Sequence, residues 1–353
     1  MKDNLDVRGV DTTCGYSRFC LQPAEEDSLL VKGLRLGGGV ILCKTNVMQT
    51  LKAFECRNPI FGTTLHPLNP KYSSGGSSGG EAALVKACGS TIGIGSDDGG
   101  SIRLPSHFCG LCGLKPSSLR LPQEPDRVKL NNRGNDSLKD TVGPIARSVE
   151  DLELVFKTLT DQRLFDLDRS IVPVPFRAVS LTKKKVGYFV TNGLMRVTPA
   201  CERAVRETVA KLRDDAGYDV EEIEFPRALE ATTKFMNLAS LEAYRRYRAD
   251  LTNDPVEFIV KPLLLNAALP DWLKAAVSWL LKVIGRPEES AIIGASRSMT
   301  FQQAWNANAW RSVYATQLSR LFADYDFVVC PVNVNPAIKH GSFVYMPFSA
   351  SYT

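Results

Sequence analysis

The sequence predicts an α/β fold: a large mixed twisted sheet covered by helices on both faces. Short apolar runs rich in β-branched residues alternate with segments of helical period. Residues 185–225 read as one complete β-α-β unit. A chain of 353 residues with 44% hydrophobic content can also bury a substantial core. We therefore expect one domain over 1–353, with 258–286 as an insertion.

The elements follow from breakers and periodicity. Val40-Ile41-Leu42-Cys43-Lys44, after Gly37-Gly38-Gly39, reads as a buried strand. Glu81–Cys88 reads as a helix, and Thr91–Gly95 as a short strand. Ser148-Val-Glu-Asp151 resembles a capping box and starts a helix through about Leu159. Lys185–Val190 is a strand whose entry is charged by Lys183 and Lys184. A helix from Pro199 to about Asp215 follows, with Thr198 as N-cap and Gly217 past its end. Val220–Phe225 completes the unit, and Asp326–Cys330 is a late strand entering Pro331. Internal repeats are absent.

Composition narrows the function classes. The net charge is only +5, and no basic block interleaved with aromatics appears, which argues against a nucleic-acid partner. Nine scattered cysteines without a signal peptide point to a reducing, cytoplasmic compartment. Cys109-Gly-Leu-Cys112 has no second CxxC or His pair to complete a zinc site, so we read it as structural and expect no metal.

Chemistry concentrates in two glycine-flanked serines, Ser77 in Gly75-Gly76-Ser77-Ser78-Gly79-Gly80-Glu81 and Ser101 in Asp97-Asp98-Gly99-Gly100-Ser101-Ile102-Arg103. Glycines before a serine can aim consecutive N–H groups at a developing oxyanion and expose the hydroxyl beside them. Flexible Gly/Ser linkers have a similar composition, but here apolar residues, an acid and an arginine follow at fixed offsets.

The run from Gly75 to Pro116 resembles the amidase signature family, and among its members the fatty-acid amide hydrolases most closely. The resemblance implies a triad of nucleophile Ser101, bridging Ser77 and a base, Lys2, in the Met1-Lys2-Asp3-Asn4 pattern. It also implies a cis peptide bond holding the bridging serine, expected between the two loop serines. A buried lysine serves as a base when desolvation keeps it neutral. Proton transfer would run from Ser101 to Ser77 to Lys2, giving an acyl-enzyme that water hydrolyses, with no cofactor. The N–H groups of Asp98, Gly99, Gly100 and Ser101 would form the oxyanion hole. Ser78, Asp97 and Arg103 would support the loop, and the Asp98 side chain should point away. His107 reads as packing or surface. Lys44 is a rival base on a separate strand.

A segment from Leu269 to Ile284 places Asp271, Lys274, Ser278 and Lys282 on one helical face. Trp272, Leu273, Ala276, Val277, Leu280 and Ile284 occupy the other. It is too short and charged to span a bilayer but suits a membrane interface. The resemblance implies a membrane-binding cap formed by Trp272, Leu273, Val277, Leu280 and Ile284.

Against the family pattern both ends look cut, with the lysine as the second residue and Ser351-Tyr352-Thr353 resembling the start of a longer segment. A frayed, solvated Lys2 would stay protonated, so a weak enzyme is expected. Expected partners are a small-molecule amide, an intracellular membrane contacted peripherally and a second copy of the chain. Three readings stand: a hydrolase of long-chain fatty-acid amides, a soluble amidase for small amides, and a catalytically silent binding or scaffold protein.

Overall fold

The structure, a computed structural model, describes residues 1–122, 137–239, 241 and 244–342. They form two compact units. One comprises 1–122, 137–177, 245–265 and 337–342, and the other 178–239, 241, 244 and 266–336.

In chain order the helices are α1 (Leu29–Leu36), α2 (Gly79–Lys86), α3 (Arg103–Cys109), α4 (Val149–Leu159), α5 (Gln162–Leu167), α6 (Pro199–Asp214), α7 (Ala228–Ala239), α8 (Arg245–Asp250), α9 (Lys261–Ala268), α10 (Asp271–Val283), α11 (Pro287–Ala295) and α12 (Phe301–Phe322). The strands are β1 (Arg57–Asn58), β2 (Gly62–Thr63), β3 (Ile92–Asp97), β4 (Cys112–Gly113), β5 (Thr141–Ala146), β6 (Lys185–Tyr188), β7 (Asp219–Glu222) and β8 (Phe327–Val329).

The first unit is built on an antiparallel sheet of order β3-β5-β4, with Ile92 opposite Ala146 and Asp97 opposite Thr141. Every residue of β5 is buried. Helices α2 and α4 pack on this sheet. Leu30, Ile94, Val142, Val155, Leu159 and Leu164 meet in its core, which puts apolar weight beneath the last residues of β3. Ser148 caps α4 by accepting the Asp151 N–H at 3.2 Å, as the sequence predicts.

The second unit carries the predicted β-α-β arrangement. β6 pairs in parallel with β7 on one side and β8 on the other, and α6 connects the first pair. Tyr188, Val205 and Val209 pack between sheet and helix. Pro199 opens α6, but the Thr198 hydroxyl donates to Val334 O at 3.0 Å instead of capping the helix.

One sequence expectation fails here. Val40–Lys44 is not a buried strand: Val40 and Leu42 are 80% and 67% exposed, and only Thr45 forms a β-bridge. On α10 the polar residues divide: Lys282 is exposed, Asp271 and Ser278 are half-buried and Lys274 is buried. Lys274 is fully buried, donates to Ser296 O at 3.1 Å and lies 3.5 Å from Asp271. Ser278 donates to Ser290 O of α11 at 2.8 Å. The helix packs on α11 with Ser278 at the contact and leaves Trp272, Trp279, Leu280, Val283 and Ile284 exposed. Leu273 and Val277 are half-buried.

Candidate active site

Lys2 does not fray. Its N–H donates to Ile94 O of β3 at 3.0 Å, and Thr45 N donates to Met1 O at 3.0 Å across a parallel bridge. The side chain is 1% exposed. Its Nζ donates to Ser77 Oγ at 2.6 Å, Ser96 Oγ at 2.8 Å and Ser96 O at 2.9 Å. Burial pulls the Lys2 pKa below the ordinary lysine value, against the charges of Asp140, Glu81 and Asp98. The expectation of a solvated lysine is overturned because one strand rung and three polar contacts fix it.

Ser77 sits at the end of a loop that leads into α2. The cis peptide bond is Gly76–Ser77, one bond earlier than the Ser–Ser position expected. Gly75, at φ 81°, lies where a Cβ would come within 2.9 Å of Pro105 Cα, so only glycine fits that turn. The Cys56 thiol donates to Ser77 O at 3.4 Å and accepts Gly79 N at 3.2 Å. Burial pushes that thiol up to about 12, so it stays a neutral donor.

The second loop adjoins the first: Ser78 N donates to Ser101 O at 3.1 Å. Ser101 is buried at the turn from β3 into α3. Asp97 organises this turn. Its carboxylate accepts Gly100 N at 2.7 Å, Ile102 N at 3.0 Å and Arg103 N at 3.2 Å. It also accepts the Arg103 guanidinium at 3.0 and 2.9 Å. Burial alone would raise the Asp97 pKa, but Arg103 and the backbone donors outweigh it and hold the carboxyl at about 2. Because the Gly100 N–H is engaged by Asp97, it leaves the set expected for the oxyanion hole.

The Asp98 side chain, expected to point away from the oxyanion hole, has a cation beside it. It pairs with Lys52, and both groups are partly exposed. Burial disfavours the Lys52 charge, yet the neighbouring carboxylate wins and raises its pKa well above the ordinary lysine value. The Lys52 ammonium also stands 5.9 Å from the Tyr247 ring centroid.

Lys44 is excluded as the base. Its Nζ is held by Asp3 Oδ1 at 2.9 Å, Asp11 O at 2.9 Å and Thr12 Oγ1 at 2.6 Å. Asp3 in turn accepts the N–H groups of Thr13 at 3.0 Å and Cys14 at 3.1 Å. This network anchors the residue next to Lys2. Sequence reasoning missed it, as it missed Ser96, whose hydroxyl also accepts Asn4 Nδ2 at 3.1 Å. A serine two positions from Ile94 in a glycine-rich strand was the only signal, because alternation puts residues 94 and 96 on one face. His107 lies on α3 and is half-buried. Cys109 and Cys112 are free thiols. Among the described residues no His/Cys/Asp/Glu cluster is arranged to hold a metal.

The family model for Amidase matches residues 1–353. The chain is 34% identical to fatty-acid amide hydrolase 1 of Sus scrofa over 346 residues, 96% of this chain and 58% of that protein. It is 30% identical to fatty acid amide hydrolase 1 of Caenorhabditis elegans over 361 aligned positions, 100% of this chain and 62% of that one. A solved fatty acid amide hydrolase superposes with a TM-score of 0.82 at 26% identity, covering 99% of this chain and 57% of its own. The chain thus spans about three-fifths of the length of these relatives. With the family model matched throughout and the glycine-serine loops brought together beside a buried lysine, the chain belongs to the amidase signature family.

Proposed function

We propose that this chain is a serine amidase that cleaves carboxamide C–N bonds through Ser101, Ser77 and Lys2. The observation that carries the reading is the buried Lys2 Nζ at 2.6 Å from Ser77 Oγ. In the neutral state the Lys2 lone pair accepts the Ser77 proton while Ser77 takes the proton of Ser101. The Ser101 Oγ then bonds to the amide carbonyl carbon. The oxyanion is met by the N–H groups of Asp98, Gly99 and Ser101, positioned by the Asp97–Arg103 clamp. The relay returns its proton to the leaving nitrogen as the C–N bond breaks, and water releases the acyl group by the same path.

The substrate we favour is a long-chain fatty-acid amide, taken up at a membrane surface. The names of the relatives support the substrate class. The exposed face of α10 supports the membrane contact, since two tryptophans 70% and 67% exposed lie beside Leu280, Val283 and Ile284. Among the described residues no helix is long and apolar enough to cross a membrane. A second reading, a small-amide amidase, is favoured by the Lys52–Asp98 pair three residues before the nucleophile. A charged pair there suits polar substituents near the carbonyl better than an alkyl chain. A series of primary amides from acetamide to oleamide separates the two: kcat/KM rising with chain length supports the first reading, and a maximum at the short end the second.

A further inference from the structure

Asp98 is a costly residue to place in an oxyanion hole. Its N–H stands in the set that meets the oxyanion, yet its side chain is a carboxylate three residues before Ser101. Left alone, that carboxylate opposes the negative charge that builds on the carbonyl oxygen in the transition state. Lys52 answers it. The Lys52 ammonium pairs with Asp98 Oδ2, and the same carboxylate keeps Lys52 in its charged form.

The segment that delivers Lys52 is strained. Thr50 and the following Leu51 both hold left-handed conformations, at φ 73° and 59°. A β-branched residue rarely adopts that region, and such outliers persist only where the surrounding structure over-determines them. The Thr50 hydroxyl is buried without a hydrogen-bond partner, so no bond of its own offsets the strain. The neighbours supply the constraint. Gln49 is fully buried; its Nε2 donates to Pro255 O at 3.1 Å and its Oε1 accepts Glu257 N at 3.0 Å. Gly15, at φ 78°, runs so close that a Cβ there would come within 2.8 Å of Gln49 Cα. The two left-handed residues immediately precede Lys52, whose side chain reaches Asp98 across 46 positions.

We propose that Lys52 is a positioning residue of the amidase site: its cation neutralises and anchors Asp98, so that the first N–H of the oxyanion hole meets the carbonyl oxygen without an unpaired carboxylate beside it. The role depends on the reading of Ser101 as the nucleophile. Lys52 touches no reacting atom and acts through Asp98. Oxyanion charge builds only in the transition state, so the effect falls on kcat and not on KM. An unpaired carboxylate about 6 Å from the oxyanion, at an effective dielectric of about 40 for partly exposed groups, slows the reaction about tenfold. A lysine that bound substrate directly would instead change KM, and unevenly between a short and a long amide.

The test is steady-state hydrolysis of acetamide and oleamide by variants of the whole chain. Fluorophosphonate labelling of Ser101 is the readout for any variant too slow to turn over. Lys52→Met should lower kcat, or the labelling rate, at least about tenfold. Both amides should show the loss, with KM within about twofold of wild type. Lys52→Arg keeps the charge and should retain most of kcat. Adding Asp98→Asn to Lys52→Met should recover most of the loss, because the charge that Lys52 balanced is then gone; a lysine that only packs would show no such recovery. An unchanged kcat in Lys52→Met, a change confined to KM or to one amide, or a double variant no faster than Lys52→Met would overturn the role of Lys52. Hydrolysis that persists in Ser101→Ala would overturn the serine reading itself, and this role with it.

Discussion

Replacing Asp97 with asparagine tests whether the nucleophile turn is held by charge or merely by packing. The carboxylate is fully buried, with three backbone donors and the Arg103 guanidinium around it. Its pKa falls from 3.8 to about 2 on folding. At 1.36 kcal/mol per tenfold, that lowering makes the ionised form worth roughly 2 kcal/mol to the folded state. Removing one partner of a buried pair typically costs about 3–5 kcal/mol, because the other charge is left uncompensated. We therefore expect Asp97→Asn to destabilise this unit by about 3 kcal/mol at pH 7. The sign with pH is fixed by the depressed pKa. The stabilisation is complete above the unfolded value of 3.8 and is lost as pH falls toward 2, with about 1 kcal/mol gone by pH 3. The gap between wild type and variant should narrow accordingly. All four tryptophans lie between 272 and 310, in the other unit, so fluorescence is the wrong probe. Hydrogen exchange of β3 and α3 peptides in graded urea reads the right one. A gap below about 0.5 kcal/mol, or one that does not change between pH 7 and pH 3, would refute the reasoning.

The other predictions concern the base, its anchor and the α10 face. The Glu81 carboxylate favours the charged form of Lys2, so Glu81→Gln should move the rising limb of the pH profile of kcat/KM to lower pH; an upward move would contradict it. Lys44→Met leaves Asp3 buried without its cation and should destabilise residues 1–14 by about 3–5 kcal/mol in hydrogen exchange. The double variant with Asp3→Asn should recover part of that loss. Replacing Trp272 and Trp279 with alanine should cut sedimentation with anionic phospholipid vesicles at least about tenfold, at about 1.5–3 kcal/mol per buried side chain. Hydrolysis of a short soluble amide should be unchanged, whereas a parallel loss there would mean the face supports the fold.

Local chemistry was legible in the sequence wherever one residue type has few substitutes. Glycine at 75, Asp97 next to the turn it holds, Ser148 at a helix start and Pro199 at another each declare a backbone requirement. The Lys2–Ser77 contact, across 75 residues, was reached by resemblance rather than by spacing. What failed were inferences about which side of an element meets what. Amphipathicity told us that α10 has two faces, but not that Lys274 and Ser278 would find carbonyl partners on a neighbouring segment while Lys282 stays exposed. Likewise Val40–Lys44 has strand composition, yet a strand needs an edge to pair with and only Thr45 has one. Ser96 was invisible because a serine in a strand usually faces water, and nothing local says that a lysine arrives from residue 2.

The central claim is that Ser101 is a nucleophile activated through Ser77 by a neutral Lys2. A fluorophosphonate probe reacts with such a serine, and peptide mapping of the labelled chain finds where. The account predicts one adduct, at Ser101, lost in Ser101→Ala, kept in Ser78→Ala and slowed at least about a hundredfold in Lys2→Ala. A folded chain that takes no label, or one labelled as fast without Lys2, would contradict it.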